Sequence, residues 1–289
     1  MNFLIILLIS ISFCSEKKIP KLDLFKDGGV IFNDLNIKTA IPDPRKEGSN
    51  KISEQDIIEI KNKSNLFEPK PINNEDLIII STNKGDMKFK FYSNIAPKTC
   101  YNFKKLANSQ FYDETLFHRL IKNFIVQGGD ILSRDSDIKN DGTGGPGWTL
   151  NAEFSDIKHT KGTLSMSRSN NDVNSAGSQF FISLNNNKSL DRNYTVFGYI
   201  IEGENVLDLI SKVSTEREQM LMIIKDVIPE NENVDNWVEI EDKTSNKKYY
   251  AKVPDFMNID TFKKGIELKL QNLYRPGSPI IIKSIRVLS

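Results

Sequence analysis

The sequence predicts a mainly β fold, a closed sheet of short strands capped by two helices. Two observations and one general rule lead there. Short apolar or alternating segments recur at Leu116 to Ile121, Ile125 to Gln127, Gly162 to Met166, Phe180 to Leu184 and Thr195 to Ile200. Only two clear helical patterns flank them. A sheet of many short strands protects its edges by closing on itself.

The first element after a polar stretch is a hairpin. Leu77 to Ser81 is apolar and β-rich, Asn83-Lys84-Gly85-Asp86 is turn chemistry, and Met87, Phe89 and Phe91 alternate with Lys88 and Lys90. One face of the hairpin is therefore buried. Pro97 stands where a helix begins, because its missing N–H and preset φ suit a first turn. Cys100, Phe103, Leu106 and Ala107 follow at helical spacing before Asn108-Ser109. The second helix follows Gly203, with Val206, Leu209, Ile210 and Val213 on one face.

At 289 residues the chain can hold one sizeable core with extensions, or two small domains. Charged residues make up 27% and hydrophobic residues 38%, the range of soluble globular proteins. Lys and Arg total 39 against 38 Asp and Glu, and a net charge of +1 carries no electrostatic footprint for nucleic acid. Nucleic acid is thus not an expected partner. The two cysteines read as unpaired, since a Cys14–Cys100 bridge would tie a targeting segment to the core.

Residues 3–13 form an apolar run too short to span a bilayer comfortably as a helix, which is the shape of a secretory signal. Ile11, Ser12 and Phe13 before Cys14 resemble a relaxed bacterial lipobox, in which the cysteine is lipidated and becomes the mature N-terminus. Phe13 is bulkier than the small residue usual there, and no Lys or Arg precedes the run. An ordinary or uncleaved signal is the other outcome. Either way the mature protein is expected to leave the cytoplasm, and a lipid on Cys14 would anchor it to a membrane of the cell envelope. Residues 15–75, rich in Lys, Asn, Asp and Pro, read as a polar tether, with Ile52, Ile57, Ile58 and Ile60 giving one weak helical pattern. The folded domain is expected from 76 to 289.

The chemistry lies in words spread over the central segment. Phe117-His118-Arg119-Leu120 is followed by Phe124-Ile125-Val126-Gln127-Gly128-Gly129-Asp130. Then come Gly142-Thr143-Gly144-Gly145, Leu164-Ser165-Met166-Ser167-Arg168, Asn174 to Ile182 (NSAGSQFFI), Leu190-Asp191 and Val196-Phe197-Gly198. Their identity and order resemble the cyclophilins, proline isomerases that turn the X-Pro bonds of other polypeptides. The resemblance implies a closed eight-stranded antiparallel barrel with a helix at each end, working without metal or cofactor.

It also implies roles. Arg119 matches the catalytic arginine. A guanidinium beside the prolyl nitrogen can donate to its lone pair and weaken the amide resonance behind a barrier of about 18–20 kcal/mol. Gln127 and Gln179 match positions whose side chains bond substrate backbone or orient the arginine. His118 stands beside them in the motif, and because rotation moves no proton its expected role is positioning. Phe117, Phe124, Ile125, Phe181 and Leu190 match substrate-facing apolar positions, although composition alone would place such side chains in a core. Ile125 stands where many relatives carry Met. Gly142 falls at the rim of the groove, Ser167 and Arg168 in the segment that pairs with the peptide backbone, and Tyr194 at the place of a rim histidine. Ser189 replaces the tryptophan that contacts cyclosporin in well-known relatives, so weak cyclosporin binding is expected.

Two features read as decoys. Gly142 to Gly147 formally contains G-x-G-x-x-G but lacks the strand before and the helix after that a dinucleotide site needs. His159 has no companions at metal-ligand spacing and reads as a surface or turn histidine.

Residues 280–288 resemble the closing strand of the barrel, which makes residues 217–277 an insertion before it. Within it, Met220, Ile223, Ile224 and Val227 are helically spaced. Trp237 to Ile240 and Tyr249 to Ala251 read as strands, and Phe262, Ile266, Leu270 and Leu273 give a second helical face. The insertion is either an elaborated loop folded on the barrel or a contact for a partner, a substrate or a second copy. The oligomeric state is open. Two functions compete: an isomerase assisting the folding of exported or envelope proteins, and a surface-tethered proline-peptide binding or adhesion module with incidental turnover.

Overall fold

The computed structural model describes residues 52–289 except 136, 222, 243–245, 256 and 272–273. The signal segment, Cys14 and residues 15–51 lie outside the described residues, as does Leu273.

Where the composition of residues 15–75 reads as a tether, the described part carries a helix, α1 (Glu54–Leu66). A capping box starts it. Ser53 Oγ accepts from Asp56 N, and Asp56 Oδ2 accepts from Ser53 N at 2.8 Å. Ile57 is buried against the main core, and the hydroxyls of Ser64 and Ser109 meet at 2.8 Å in a buried contact. Ile57 with Ile60 beside it, the serine pair and a Lys63–Gln110 hydrogen bond dock a helix whose overall amphipathicity is weak, so the tether reading fails for this stretch.

The hairpin β1 (Leu77–Thr82) and β2 (Gly85–Phe91) turns on Asn83-Lys84 with Thr82 opposite Gly85. Ile78, Ile80, Met87 and Phe89 point inward without exposed surface. Helix α2 (Pro97–Asn108) covers one end of the sheet with Cys100, Phe103, Leu106 and Ala107. Burial holds the Cys100 thiol far above its ordinary pKa, so it is an inert core side chain. Strands β3 (Thr115–Leu116), β4 (Arg119–Ile121), β5 (Ile125–Gly128), β6 (Thr163–Met166), β7 (Phe180–Ser183) and β8 (Val196–Glu202) follow, then α3 (Glu204–Ser211). The stretch from Leu116 to Ile121 is two strands rather than one. Between them Phe117 turns into the core and its N–H is taken by Ile280 O.

With β12 (Ile281–Leu288) the main sheet has nine strands, in the order β3-β12-β1-β2-β8-β6-β7-β5-β4, and every pairing is antiparallel. The expected closed barrel of eight strands is thus observed as a curled sheet of nine. No ladder joins β3 to β4 among the described residues. The two end strands are nevertheless separated only by Phe117-His118, so the sheet must curl far enough to bring its ends together.

Between α3 and β12 stand α4 (Glu216–Leu221), β9 (Ile224–Lys225), β10 (Trp237–Asp242), β11 (Lys247–Lys252) and α5 (Ile259–Gln271). The three strands form their own sheet in the order β10-β11-β9. The helix expected to reach Val227 stops early, because Ile224 pairs with Ala251 as strand and Val227 is exposed. Met220, Ile224, Val238, Ile240, Phe262 and Ile266 belong to an apolar core separate from that of the main sheet.

Candidate active site

Strand alternation decides which residues of the main sheet face the core and which face outward. Leu120, Val126, Ile182 and Leu164 are aligned across β4, β5, β7 and β6, and all are fully buried. The neighbouring row, one residue along each strand, is Arg119, Gln127, Phe181 and Ser165. Successive side chains on a strand point to opposite faces, so this second row looks away from the core.

A hydrogen-bond chain holds the row. Arg119 Nη1 donates to Gln127 Oε1 at 3.1 Å, and Gln127 Nε2 donates to Gln179 Oε1 at 2.9 Å and to Ser167 Oγ at 3.1 Å. The guanidinium has only donors, so Gln127 must turn its oxygen to it, which leaves the amide N–H groups for Gln179 and Ser167. Gln179 Nε2 in turn reaches Gly142 O at 2.8 Å and Gly144 O at 2.9 Å. Partial burial draws the Arg119 pKa down from its ordinary value, against the pull of Tyr274 and Tyr194. With so high a starting value it stays a cation at any working pH.

Beside this polar chain lies an apolar seat. Ile125, Phe181 and Leu190 form a small cluster of their own, edged by Ile121, Phe124 and Tyr194. Tyr194 stands edge-on to Phe181 at 5.4 Å, and the Arg168 guanidinium lies 4.8 Å over the tyrosine ring. Arg168 is further held by the carbonyls of Asn193 and Ser169.

His159 supports the seat from behind. It is buried, not a surface histidine. Its ring stacks on Phe181 at 5.9 Å, Nδ1 lies 3.1 Å from Asp191 Oδ1, and Nε2 lies 3.1 Å from Ser165 Oγ. Because a carboxylate only accepts, Nδ1 carries the proton and Nε2 accepts from Ser165. Burial lowers the His159 pKa despite the opposing pull of Asp191.

The glycine loop forms the far wall of a groove of about 720 Å³, to which Arg119, Gln127, Ser167 and Gln179 also contribute. Asp130 anchors the loop from beneath. Its carboxylate accepts from Leu132 N at 2.8 Å and from Gly142 N. Burial raises its pKa while these backbone donors oppose the rise. Gly129 has φ +85, and a Cβ there would fall 2.5 Å from Ser178 O, so the turn before Asp130 admits only glycine.

Two expected site residues lie elsewhere. Phe117 is a core residue, meeting Phe180 edge to face at 6.0 Å, because the turn between β3 and β4 points it inward. His118 is buried under the glycine loop rather than in the groove; a Cβ on Gly142 would fall 3.6 Å from its Nε2. Neither of its ring nitrogens has a hydrogen-bond partner of good geometry among the described residues. Burial, with the Arg119 charge next to it, pushes its pKa down to about 4. At neutral pH the enclosed ring is therefore uncharged. The remaining predicted residues, Phe124, Ile125, Gly142, Ser167, Arg168, Gln179, Phe181, Leu190 and Tyr194, gather around Arg119 and Gln127. Ser189 is exposed in a short 3₁₀ turn beside Leu190.

Sequence reasoning missed His159 as a support, Lys61 of α1 and Trp148 on the groove wall, and Tyr274, whose ring faces Arg119. Trp148 Nε1 donates to Asn102 Oδ1 at 2.8 Å, which ties the loop to α2. Among the described residues no group of three His, Cys, Asp or Glu side chains could hold a metal ion.

Comparison with known proteins places this arrangement. Residues 77–230 match the family of cyclophilin-type peptidyl-prolyl cis-trans isomerases. A peptidyl-prolyl cis-trans isomerase of Dictyostelium discoideum is 38% identical over 151 residues, which cover 50% of this chain and 90% of that protein. One from Acinetobacter baylyi is 37% identical over 144 residues, covering 48% of this chain and 73% of that protein. The crystal structure of a Cryptosporidium parvum cyclophilin-type isomerase, obtained in the presence of the dipeptide Ala-Pro, superposes with a TM-score of 0.50 at 26% identity. The match covers 74% of this chain and 99% of that one.

Proposed function

This chain belongs to the cyclophilin-type peptidyl-prolyl cis-trans isomerase family, and from that premise we propose that it turns X-Pro bonds of exported polypeptides by hydrogen bonding from Arg119 to the prolyl nitrogen. The observation that carries the reading is the chain from Arg119 through Gln127 to Ser167 and Gln179, in the same row as Phe181 of the apolar seat. The proline ring occupies Ile125, Phe181 and Leu190, which bury it and fix one side of the bond. The carbonyl on the other side then swings.

As the amide twists, the nitrogen pyramidalises and its lone pair becomes a hydrogen-bond acceptor. Arg119, already fixed by Gln127, donates to it without reorganising, so the interaction is stronger in the twisted state than in either planar one. Ser167 and Arg168 offer backbone to the peptide, and Gln179 keeps the glycine loop at the distance a chain needs. No proton is transferred, which agrees with a neutral His118.

A protease-coupled assay on an Ala-Pro peptide tests the reading. R119A should lose about 10²-fold or more in turnover, as when a preorganised donor is removed from an electrostatic site. Equal rates for R119A and the wild type would overturn it, and retained peptide binding without turnover would favour the binding or adhesion module.

The proposed setting is the cell envelope, reached through the signal segment, with Cys14 as the lipidated anchor. Mass analysis of the mature N-terminus distinguishes a lipidated Cys14 from an ordinary cleaved terminus. Cyclosporin binding is proposed to be weak because Ser189 has neither an aromatic wall nor an indole donor. A nanomolar inhibition constant would contradict that.

A further inference from the structure

The insertion reaches the catalytic arginine. Tyr274 lies beyond the residues that match the family, yet its ring centroid is 5.5 Å from Arg119 Cζ, on a different contact from the Gln127 bond. Its backbone is pinned there, since Leu120 N, the next residue of β4, donates to Tyr274 O at 2.6 Å. The neck of the insertion is fastened around this point. Glu216 N donates to Arg275 O at 2.9 Å and Gly277 N to Ser214 O at 2.7 Å, while Lys122 Nζ pairs with Glu218 Oε1 at 2.9 Å. The half-buried Glu218 also accepts from Thr215 N at 2.8 Å, closing the N-terminus of α4. On the other side, Arg275 lies 3.9 Å from Asp141, the residue before the glycine loop.

We propose that Tyr274 is a positioning residue for Arg119, supplied by the insertion and acting through the face of its ring. This rests on the reading of Arg119 as the donor to the prolyl nitrogen. Gln127 fixes one nitrogen of the guanidinium, but a single hydrogen bond leaves the plane free to rotate about it. An aromatic face under a cation restrains that plane without competing for its donors, so the remaining N–H groups stay available to the twisted amide. Tyr274 is partly exposed, and its removal opens no cavity in either core. The effect of its replacement therefore falls on the arginine rather than on the fold.

The test compares Y274L and Y274F with the full-length protein. The Arg119 Nε–Hε resonance, assigned by its loss in R119A, is followed by NMR, and kcat and KM are measured separately on an Ala-Pro peptide. Loss of the ring should shift the resonance downfield in Y274L and lower kcat about 3- to 10-fold with KM little changed, the size of a partly desolvated cation–π contact. Y274F should restore both. A resonance unmoved by Y274L overturns the proposal, as does one that moves while kcat stays at the wild-type value. If the wild type itself showed no turnover above R119A, the isomerase reading would fail on its own. The resonance would still decide whether Tyr274 holds the guanidinium.

Discussion

In the main sheet, Phe103 of α2 and Phe180 of β7 meet edge to face at 5.5 Å among side chains with no exposed surface, and the row behind Phe180 faces the groove. The elements added to that sheet are held differently. The insertion packs Phe262 and Ile266 of α5 on a three-stranded sheet of its own, and α1 commits one buried isoleucine and one buried serine to the shared core. The groove depends on the first core directly, whereas the insertion reaches it through Tyr274 and through Arg275 beside Asp141, and α1 through Lys61. Substitutions in the two regions should therefore differ in size and reach.

The largest effect is expected from Phe180→Ala. It empties a site walled by Phe103, Tyr112 and Phe117 and should cost about 3–5 kcal/mol in chemical denaturation, with activity falling as the sheet loosens. A cost below about 1 kcal/mol would mean that the main core is not the determinant assigned here.

Next comes the acid dependence of His118. Its ordinary value is 6.5 and its folded value about 4, so the unfolded chain binds the extra proton in between. Stability from this group is full above pH 6.5, declines as pH falls towards 4 and is flat below, a loss of roughly 3 kcal/mol. His118→Leu should flatten this part of the stability profile between pH 7 and 4 relative to wild type, and parallel profiles would refute the assignment.

Ile266→Val should cost about 1 kcal/mol, and the cost should stay local. Amide exchange should quicken in β10, β11 and α5 while β1, β2 and β8 keep their protection; a uniform change would show one cooperative unit instead of two. The smallest effect is expected from Ser53→Ala, which removes the cap of α1 and should cost about 0.5–1 kcal/mol, read as faster exchange in that helix alone.

Much of this was legible in the sequence because the information is local or carried by ordered motifs. The hairpin turn, the Pro97 helix start and the alternation of β2 are each written in adjacent residues. The groove residues from Arg119 to Tyr194 come from words in register. What stayed hidden depends on contacts between distant segments. Phe117 and His118 sit inside a motif, and nothing in the string says that the chain breaks between Leu116 and Arg119 and turns both side chains away from the groove. His159 looks solitary until folding brings Asp191, Ser165 and Phe181 around it. Tyr274 belongs to no motif, and its partner lies on the opposite side of the domain in sequence. For α1, the weak periodicity was visible, but its docking depended on Ser109 and the core surface being in reach of Ser64 and Ile57.

The position of β12 has a consequence for synthesis. This strand fills the place between β3 and β1, pairing Leu77 with Leu288 and Ile281 with Leu116, and it follows the whole insertion in the chain. On the ribosome, the segments carrying Arg119, Gln127 and Phe181 emerge long before the strand that completes their sheet. Until then β1 and β3 each present an open edge, the kind of surface that invites pairing with another chain. The insertion carries an apolar core of its own, so its apolar residues find partners within the segment that precedes β12. A protein whose proposed work is to help others past slow bonds must itself wait for its last strand.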